Sequence, residues 1–247
     1  IVAADIVDLN STLPLKQRGS HTTATGEVPK LGLKKAMNAT QLQQLKSMQA
    51  LGKKEADIVK VLFNDTLDGV QGVYERLDIM FLQALSTGAT LVDADTNVGT
   101  AVRLNFNIPE RNFFNPIVAN WNKPTATPIE DIENIISEAR GNGHQLSDMF
   151  IDQVDFRNLR QHTNFKSAFA GYSGVLSGVI KRVSEEDAIN FLRSELRLNV
   201  HIIDKVSRAE VGGENVTIEP WQRGNVTFTT TNQVGRLIYS ELAEKDH

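Results

Sequence analysis

Residues 38–88 read NATQLQQLKSMQALGKKEADIVKVLFNDTLDGVQGVYERLDIMFLQALSTG, and this stretch decides the fold. Val59, Leu62, Phe63, Thr66, Val70, Val73, Leu77, Met80, Phe81 and Ala84 recur at steps of three and four. Lys53, Asp57, Lys60, Asn64, Asp68, Gln71, Glu75 and Asp78 take the opposite side, so the spacing predicts an amphipathic helix with one buried and one wet face. Asn38, or Thr40 just after it, is placed to accept hydrogen bonds from the free N–H groups of the first turn, and Gly88 stands where a left-handed C-cap belongs. At 1.5 Å per residue such a helix would reach on the order of 75 Å, beyond the ordinary globular range, and would serve to span something. Gly52, Gly69 and Gly72 lie inside it, each costing about 1 kcal/mol relative to alanine, which places an expected break or bend near Gly52 and between Gly69 and Gly72.

Upstream of the helix, residues 1–16 are rich in β-branched residues and leucine, and residues 27–37 show short apolar alternation. Between them lies a polar, threonine-rich tip at 17–26. Two extended segments around such a tip predict a long hairpin or loop. It carries too few large apolar groups to be stable alone, and is expected to lie on another surface; a disordered terminal arm is the alternative.

Downstream, ATLVDA and TAVRLNFNIP flank residues 95–99 and predict a second hairpin. Val102, Leu104, Phe106 and Ile108 would share one face of its return strand, with Arg103, Asn105 and Asn107 on the other. A break rich in asparagine and proline follows, containing Trp121, Pro124 and Pro128. Thr127 and Glu130 then form a predicted capping box with Pro128 at the first helical position, and Ile129, Ile132, Ile135 and Ile136 supply the apolar face. Gly141 and Gly143 would close that helix. Leu146, Met149, Phe150 and Ile151 read as a short buried strand, and Asp152 as the cap of a helix through Leu159. A weaker helical segment continues to Phe169. Residues 171–178 read as a glycine- and serine-rich loop. Ser184 with Asp187 makes another capping box, for a helix to about Leu198. Strands are expected at 200–206, 225–231 and 235–241, so helices alternate with strands from about Pro128 onward and predict an α/β subdomain.

Composition narrows the function classes. The 247 residues are 40% hydrophobic and 23% charged, with a net charge of −4, an ordinary globular balance that argues against a protein built to grip nucleic acid phosphates. The nearest thing to a basic cluster is Lys16, Arg18, Lys30, Lys34 and Lys35, which reads as a solvated arm. The chain has no cysteine, which excludes disulfides, thiol catalysis and thiolate zinc sites. No apolar run is long enough to cross a bilayer. The chain starts at Ile1 inside what reads as a strand, and a trimmed fragment is the expectation.

Each catalytic or metal template fails at a named position. GYSGV at 171–175 has Val175 where the G-x-S-x-G elbow needs its second glycine. Asp93, Asp95 and Asn97 alternate as in a calcium loop, but Val98 replaces the turn glycine and Leu104 the bidentate glutamate. His144 and His162 form no helical metal pair, and H-E-x-x-H does not occur. The pairs Gly141 with Gly143 and Gly212 with Gly213 lack the endings of phosphate loops and read as caps and turns. Glu185, Glu186 and Asp187 fall in the first turn of a predicted helix, where its dipole favours negative charge. No catalytic residue, cofactor site or metal site is assigned.

ERLDIMFLQALSTGATLVDAD at 75–95 resembles the end of the spine helix and the following hairpin of lambda-type phage major capsid proteins. Arg76, Met80, Leu85 and Gly88 are the matching positions. RLNFNIP, Trp121 and PIEDI at 128–132 are similar to that family's hairpin return, tryptophan and Pro-x-x-Asp-Ile helix start. PWQRGNVTFTTTNQVGRLIYSE resembles its late turn, strand, Gly-Arg step and final strand. The resemblance implies an α+β chain with the Hong Kong 97 type capsid fold. Residues 1–37 would be an extended arm, the E-loop. Residues 38–128 would be a P-domain with spine helix and hairpin, and 129–247 an α/β A-domain with a return strand toward the P-domain. It also implies that an N-terminal arm and a final C-terminal segment of a complete subunit are missing.

The function expected on this resemblance is that of a structural, non-enzymatic subunit of a phage or prophage icosahedral capsid. Copies would self-assemble into pentamers and hexamers enclosing double-stranded DNA without sequence-specific binding. Expected partners are other copies of the chain, with scaffold, portal and decoration proteins besides, and no membrane. Expected locations are the virion and, during assembly, the host cytoplasm. Lys16, Arg18, Lys34 and Lys35 are the candidate inter-subunit contacts. The alternatives are a non-viral, encapsulin-like shell subunit and, behind it, a hydrolase using Ser173 or Ser177 of the 171–178 loop.

Overall fold

Gly52 adopts φ +66, a left-handed conformation that ends a helix. The long pattern accordingly divides into α1 (Ala39–Ala50) and α2 (Glu55–Thr87) in the computed structural model of the chain. The structure describes residues 31, 39–52, 55–92, 102–175, 180–211 and 214–238, without the side chains of 41, 45, 55–66 and 102. The expected arm at 1–37 and the cap at Asn38 lie outside these residues, and Thr40 sits inside α1 rather than capping it. The break expected at Gly52 is present, whereas α2 runs unbroken through Gly69 and Gly72. A Cβ at Gly69 would meet open space, so nothing packed there forces the helix to yield. With 33 residues α2 is about 50 Å long.

The end of α2 follows the expectation. Gly88 takes φ +76, its N–H donates to the Ala84 carbonyl at 2.8 Å, and its own carbonyl accepts from Phe106 N–H at 3.0 Å. One glycine thus closes the helix and opens the hairpin of β1 (Ala89–Val92) and β2 (Val102–Asn105), paired antiparallel with Leu91 opposite Arg103. The return strand is shorter than its alternation suggests. The Asn105 side chain accepts from Asn107 N–H at 2.9 Å, and Asn107 turns to φ +49, which ends the strand and leaves Phe106 and Ile108 exposed.

The core belongs to the second half of the chain. β3 (Asp148–Asp152) is central in a three-stranded sheet, parallel to β4 (Asn199–Ile203) and antiparallel to β7 (Val226–Thr229). Met149 and Ile151 on one face are wholly buried, and Asp148 and Phe150 on the other are 5 and 9% exposed, so the strand is covered on both faces. Helices α3 (Pro128–Gly141), α4 (Gln153–Gln161), α5 (Thr163–Ser173) and α6 (Glu185–Leu196) supply Ile129, Ile132, Phe156, Leu159, Phe165, Phe191 and Leu192 to one core cluster. Phe165 and Phe191 meet edge to face at 5.3 Å, the arrangement that aromatic quadrupoles favour.

The caps divide instructively. Asp152 accepts from Val154 N–H at 2.8 Å, and Ser184 accepts from Asp187 N–H at 3.1 Å, as their sequence patterns predict. Thr127 makes no side-chain cap bond; Asn164 stands in for the box, its Oδ1 accepting from Ile129 N–H at 3.1 Å and its Nδ2 donating to the Glu130 carboxylate at 2.8 Å. The weak segment before Phe169 is a full helix, α5, which runs on to Ser173, so the expected loop begins only at Gly174. Residues 235–238 form no strand, and 239–241 lie outside the described residues. A hairpin of β5 (Ser207–Val211) and β6 (Glu214–Ile218) stands where only a glycine turn was legible.

Candidate assembly surfaces

From Glu75 to Ser86 one side of α2 is held by this chain. Ile79 is buried, and so is Ser86, whose carbonyl accepts from Asn225 Nδ2 at 2.8 Å and whose hydroxyl accepts from Gln222 N–H at 3.2 Å. Thr227 Oγ1 donates to the Leu85 carbonyl at 2.8 Å. These are carbonyls of the last helical turn, which have no partner within the helix. The buried Trp221 indole in turn donates to the Asn225 carbonyl at 3.1 Å. Half-way along the visible face, Glu75 binds Lys205 Nζ at 2.8 Å and Ser207 Oγ at 2.5 Å, and Lys205 also lies 3.5 Å from Asp78. The bond from Lys205, then that from Ser207, holds the Glu75 carboxyl below its ordinary value. Glu75 reciprocally raises Lys205.

The other side of α2 from Leu67 onward carries an uncovered apolar stripe, in which Gln71 and Asp78 are exposed polar residues. Leu67, Val70, Tyr74 and Phe81 are 63, 52, 62 and 48% exposed, at steps of three, four and seven that place them along one stripe. This corrects the sequence reading in both directions. Val70 and Phe81 were assigned to the buried face and stand in the open, while Glu75, assigned to the wet face, is tied to the body. Val73, Leu77, Met80 and Ala84 are half-buried between the two.

A second apolar surface follows the hairpin. Residues 106–118 contain a single 3-10 turn, Glu110–Asn112, and expose Phe106, Ile108, Phe113, Phe114, Ile117 and Val118. The segment is held by Asp131, a carboxylate 4% exposed in α3. Its Oδ1 accepts from Ile117 N–H at 2.8 Å and its Oδ2 from Trp121 Nε1 at 2.7 Å, so a buried charge is matched by two donors. At the other end, Ile108 and Phe113 close over Gly88, where a Cβ would stand 2.9 Å from Ile108 Cδ1 and 3.4 Å from Phe113 Cζ.

A family model described as phage major capsid protein E matches residues 1–192. The chain belongs to that family. No match is found among curated proteins. The capsid assignment makes the chain a structural subunit, and it accords with a mixed architecture of six helices and seven strands among the described residues. No described helix of this capsid protein is long and apolar enough to cross a membrane.

The sequence-selected contact residues of the capsid protein, Lys16, Arg18, Lys34 and Lys35, lie outside the described residues, as do Asp93, Asp95, Asn97 and Ser177. Ser173 ends α5 and its hydroxyl reaches the Ala170 carbonyl at 3.4 Å. His162 caps α5, accepting from Asn164 N–H at Nδ1 while its Nε2 meets the Lys123 carbonyl at 2.8 Å. Among the described residues no three His, Asp or Glu side chains are gathered as a metal site. One hydrogen-bonded pair in the sheet was missed. The Asp148 carboxylate meets His201 Nε2 at 2.7 Å and is also bonded by Ser147. Burial pushes this carboxyl up, but the bonds from His201 and then Ser147 outweigh it and hold it below its usual range. His201 stacks on Phe150 at 4.5 Å, so the pair pins β4 to β3. The two apolar surfaces were also missed. The signal of the second, large apolar residues crowded into FNIPERNFFNPIV, was readable.

Proposed function

We propose that this chain is a shell subunit of an icosahedral phage or prophage capsid with the Hong Kong 97 type fold, assembling into pentamers and hexamers around double-stranded DNA. The observation that carries the proposal is the division of α2. One face is bonded to the chain's own second half, and the other, with Leu67, Val70, Tyr74 and Phe81 exposed, carries an open apolar stripe in a member of a capsid family. An element of about 50 Å with one face committed and one face free suits a span shared between copies. On this reading residues 1–37 are the arm laid on a neighbour, 38–128 the peripheral domain, and 129–247 the axial domain around five-fold and six-fold centres. Lys16, Arg18, Lys34 and Lys35 make charge contacts between copies. Many weak, repeated interfaces close the container by symmetry. The net charge of −4 suits a wall that should not trap the genome. Electron microscopy of the full-length gene product should show shells or capsomers. A stable monomer under every assembly condition overturns the proposal.

A further inference from the structure

Six of the exposed large apolar side chains of the described residues fall within residues 106–118, the densest such run. These six, Phe106, Ile108, Phe113, Phe114, Ile117 and Val118, are each between 40 and 60% exposed. At 150–250 Å² for a full aromatic side chain, the three phenylalanines alone present about 300 Å², to which Ile108, Ile117 and Val118 add. The largest apolar patch of a typical monomer is about 300–600 Å², whereas a stable interface covers about 800 Å² on each partner. The segment is also fixed in advance. Asp131 holds Ile117 N–H and Trp121, the 3-10 turn closes through Phe113 N–H on the Glu110 carbonyl at 3.0 Å, and Ile108 and Phe113 rest on Gly88. A surface already ordered before contact loses little entropy on binding.

Its charges select the occupant. Glu110 and Arg111 are adjacent and exposed at its centre, with Asn112, Asn115 and Asn120 exposed around them. A balanced pair with a polar border lacks the basic excess that nucleic acid or an anionic lipid surface requires. Its exposed aromatics, with charges that cancel and amides between them, match the composition of a protein interface instead. We propose that residues 106–118, clamped by Asp131, form a direct contact with a second copy of this chain. The inference rests on the shell reading above and names one of its interfaces.

These 247 residues have no cysteine, so Val118→Cys in the full-length gene product, with any cysteine outside them replaced by serine, provides a single reactive probe. Its rate of reaction with iodoacetamide, a reagent small enough to diffuse into a shell, is measured in particles and in subunits dissociated from them. At least tenfold slower labelling in particles is the expected result. Equal rates overturn this contact and leave the shell reading standing, whereas absence of particles from the wild-type product sinks both. In a second arm, Phe114→Asp with Val118→Asp should lower particle yield at least tenfold while the unassembled subunit melts within about 2 °C of wild type. An undiminished yield counts against the contact.

Discussion

Replacing Asp131 by alanine removes the acceptor for both Ile117 N–H and Trp121 Nε1–H, at 2.8 and 2.7 Å. A hydrogen bond to a charged group contributes about 1.5–3 kcal/mol, and losing the buried carboxylate returns part of that through relief of desolvation, leaving a net cost of about 3 kcal/mol. For a chain of this size each kcal/mol lowers the melting temperature by about 2–4 °C, so the variant should melt about 6–12 °C below wild type. The measurement is thermal unfolding of the unassembled subunit by circular dichroism. Tryptophan emission is read beside it, because freeing the Trp121 indole should move its maximum to longer wavelength. Asp131→Asn keeps the shape and one acceptor oxygen, and should lose about half as much. An alanine variant that melts within about 2 °C of wild type with unchanged emission would refute the clamp, and with it the pre-ordering of residues 106–118.

Gly88→Ala must hold φ +76 with a methyl 2.9 Å from Ile108 Cδ1; a cost of about 1–2 kcal/mol is expected in chemical denaturation, part of the clash being absorbed by the flexible end of Ile108. Ser184→Ala should cost about 1 kcal/mol, and Thr127→Ala should fall within about 0.5 kcal/mol of wild type, since only the first side chain caps its helix. Glu75 is lowered from 4.5, so its contribution is present above that pH and is lost as pH falls through the lower folded value. Lys205 is raised from 10.5, so its contribution is complete below that pH and disappears as pH rises through the higher folded value. With Glu75 38% and Lys205 35% exposed, screening limits the pair to under about 1 kcal/mol. Glu75→Gln should therefore flatten the acid limb of a stability-against-pH curve by that amount, and an unchanged limb would contradict the assignment.

The elements written in local chemistry were legible. Pro128 at the first turn, Asp152 and Ser184 as caps, Gly88 as the stop and the run Met149–Ile151 as a buried strand are all decided within a few residues. What misled the reading depended on partners far along the chain. Glu75 looks solvent-facing until Lys205 and Ser207 arrive 130 and 132 residues later, and Glu130 looks like a capping partner until Asn164 takes it. The apolar side of α2 was mistaken for an inward face because periodicity reports that a stripe is apolar, not what covers it. Residues 109–118 have no period, so Phe113 and Phe114 pass as part of a break, while Phe106 and Ile108 read as the buried face of the return strand. The strands SRAEV and ENVTI offer too little apolar alternation to be seen without their mutual pairing.

The bonds from Gln222, Asn225 and Thr227 to the last turn of α2 bridge 136 to 142 positions, and this order of events governs biosynthesis. Closing a loop of that length costs about 4 kcal/mol of chain entropy from its length dependence alone, and contacts so distant slow folding. During translation α2 leaves the ribosome long before the strand that fastens its end exists. A nascent chain therefore cannot fasten the end of α2 until residues 222–227 have emerged, and one that stops short of them leaves the Leu85 and Ser86 carbonyls without these partners.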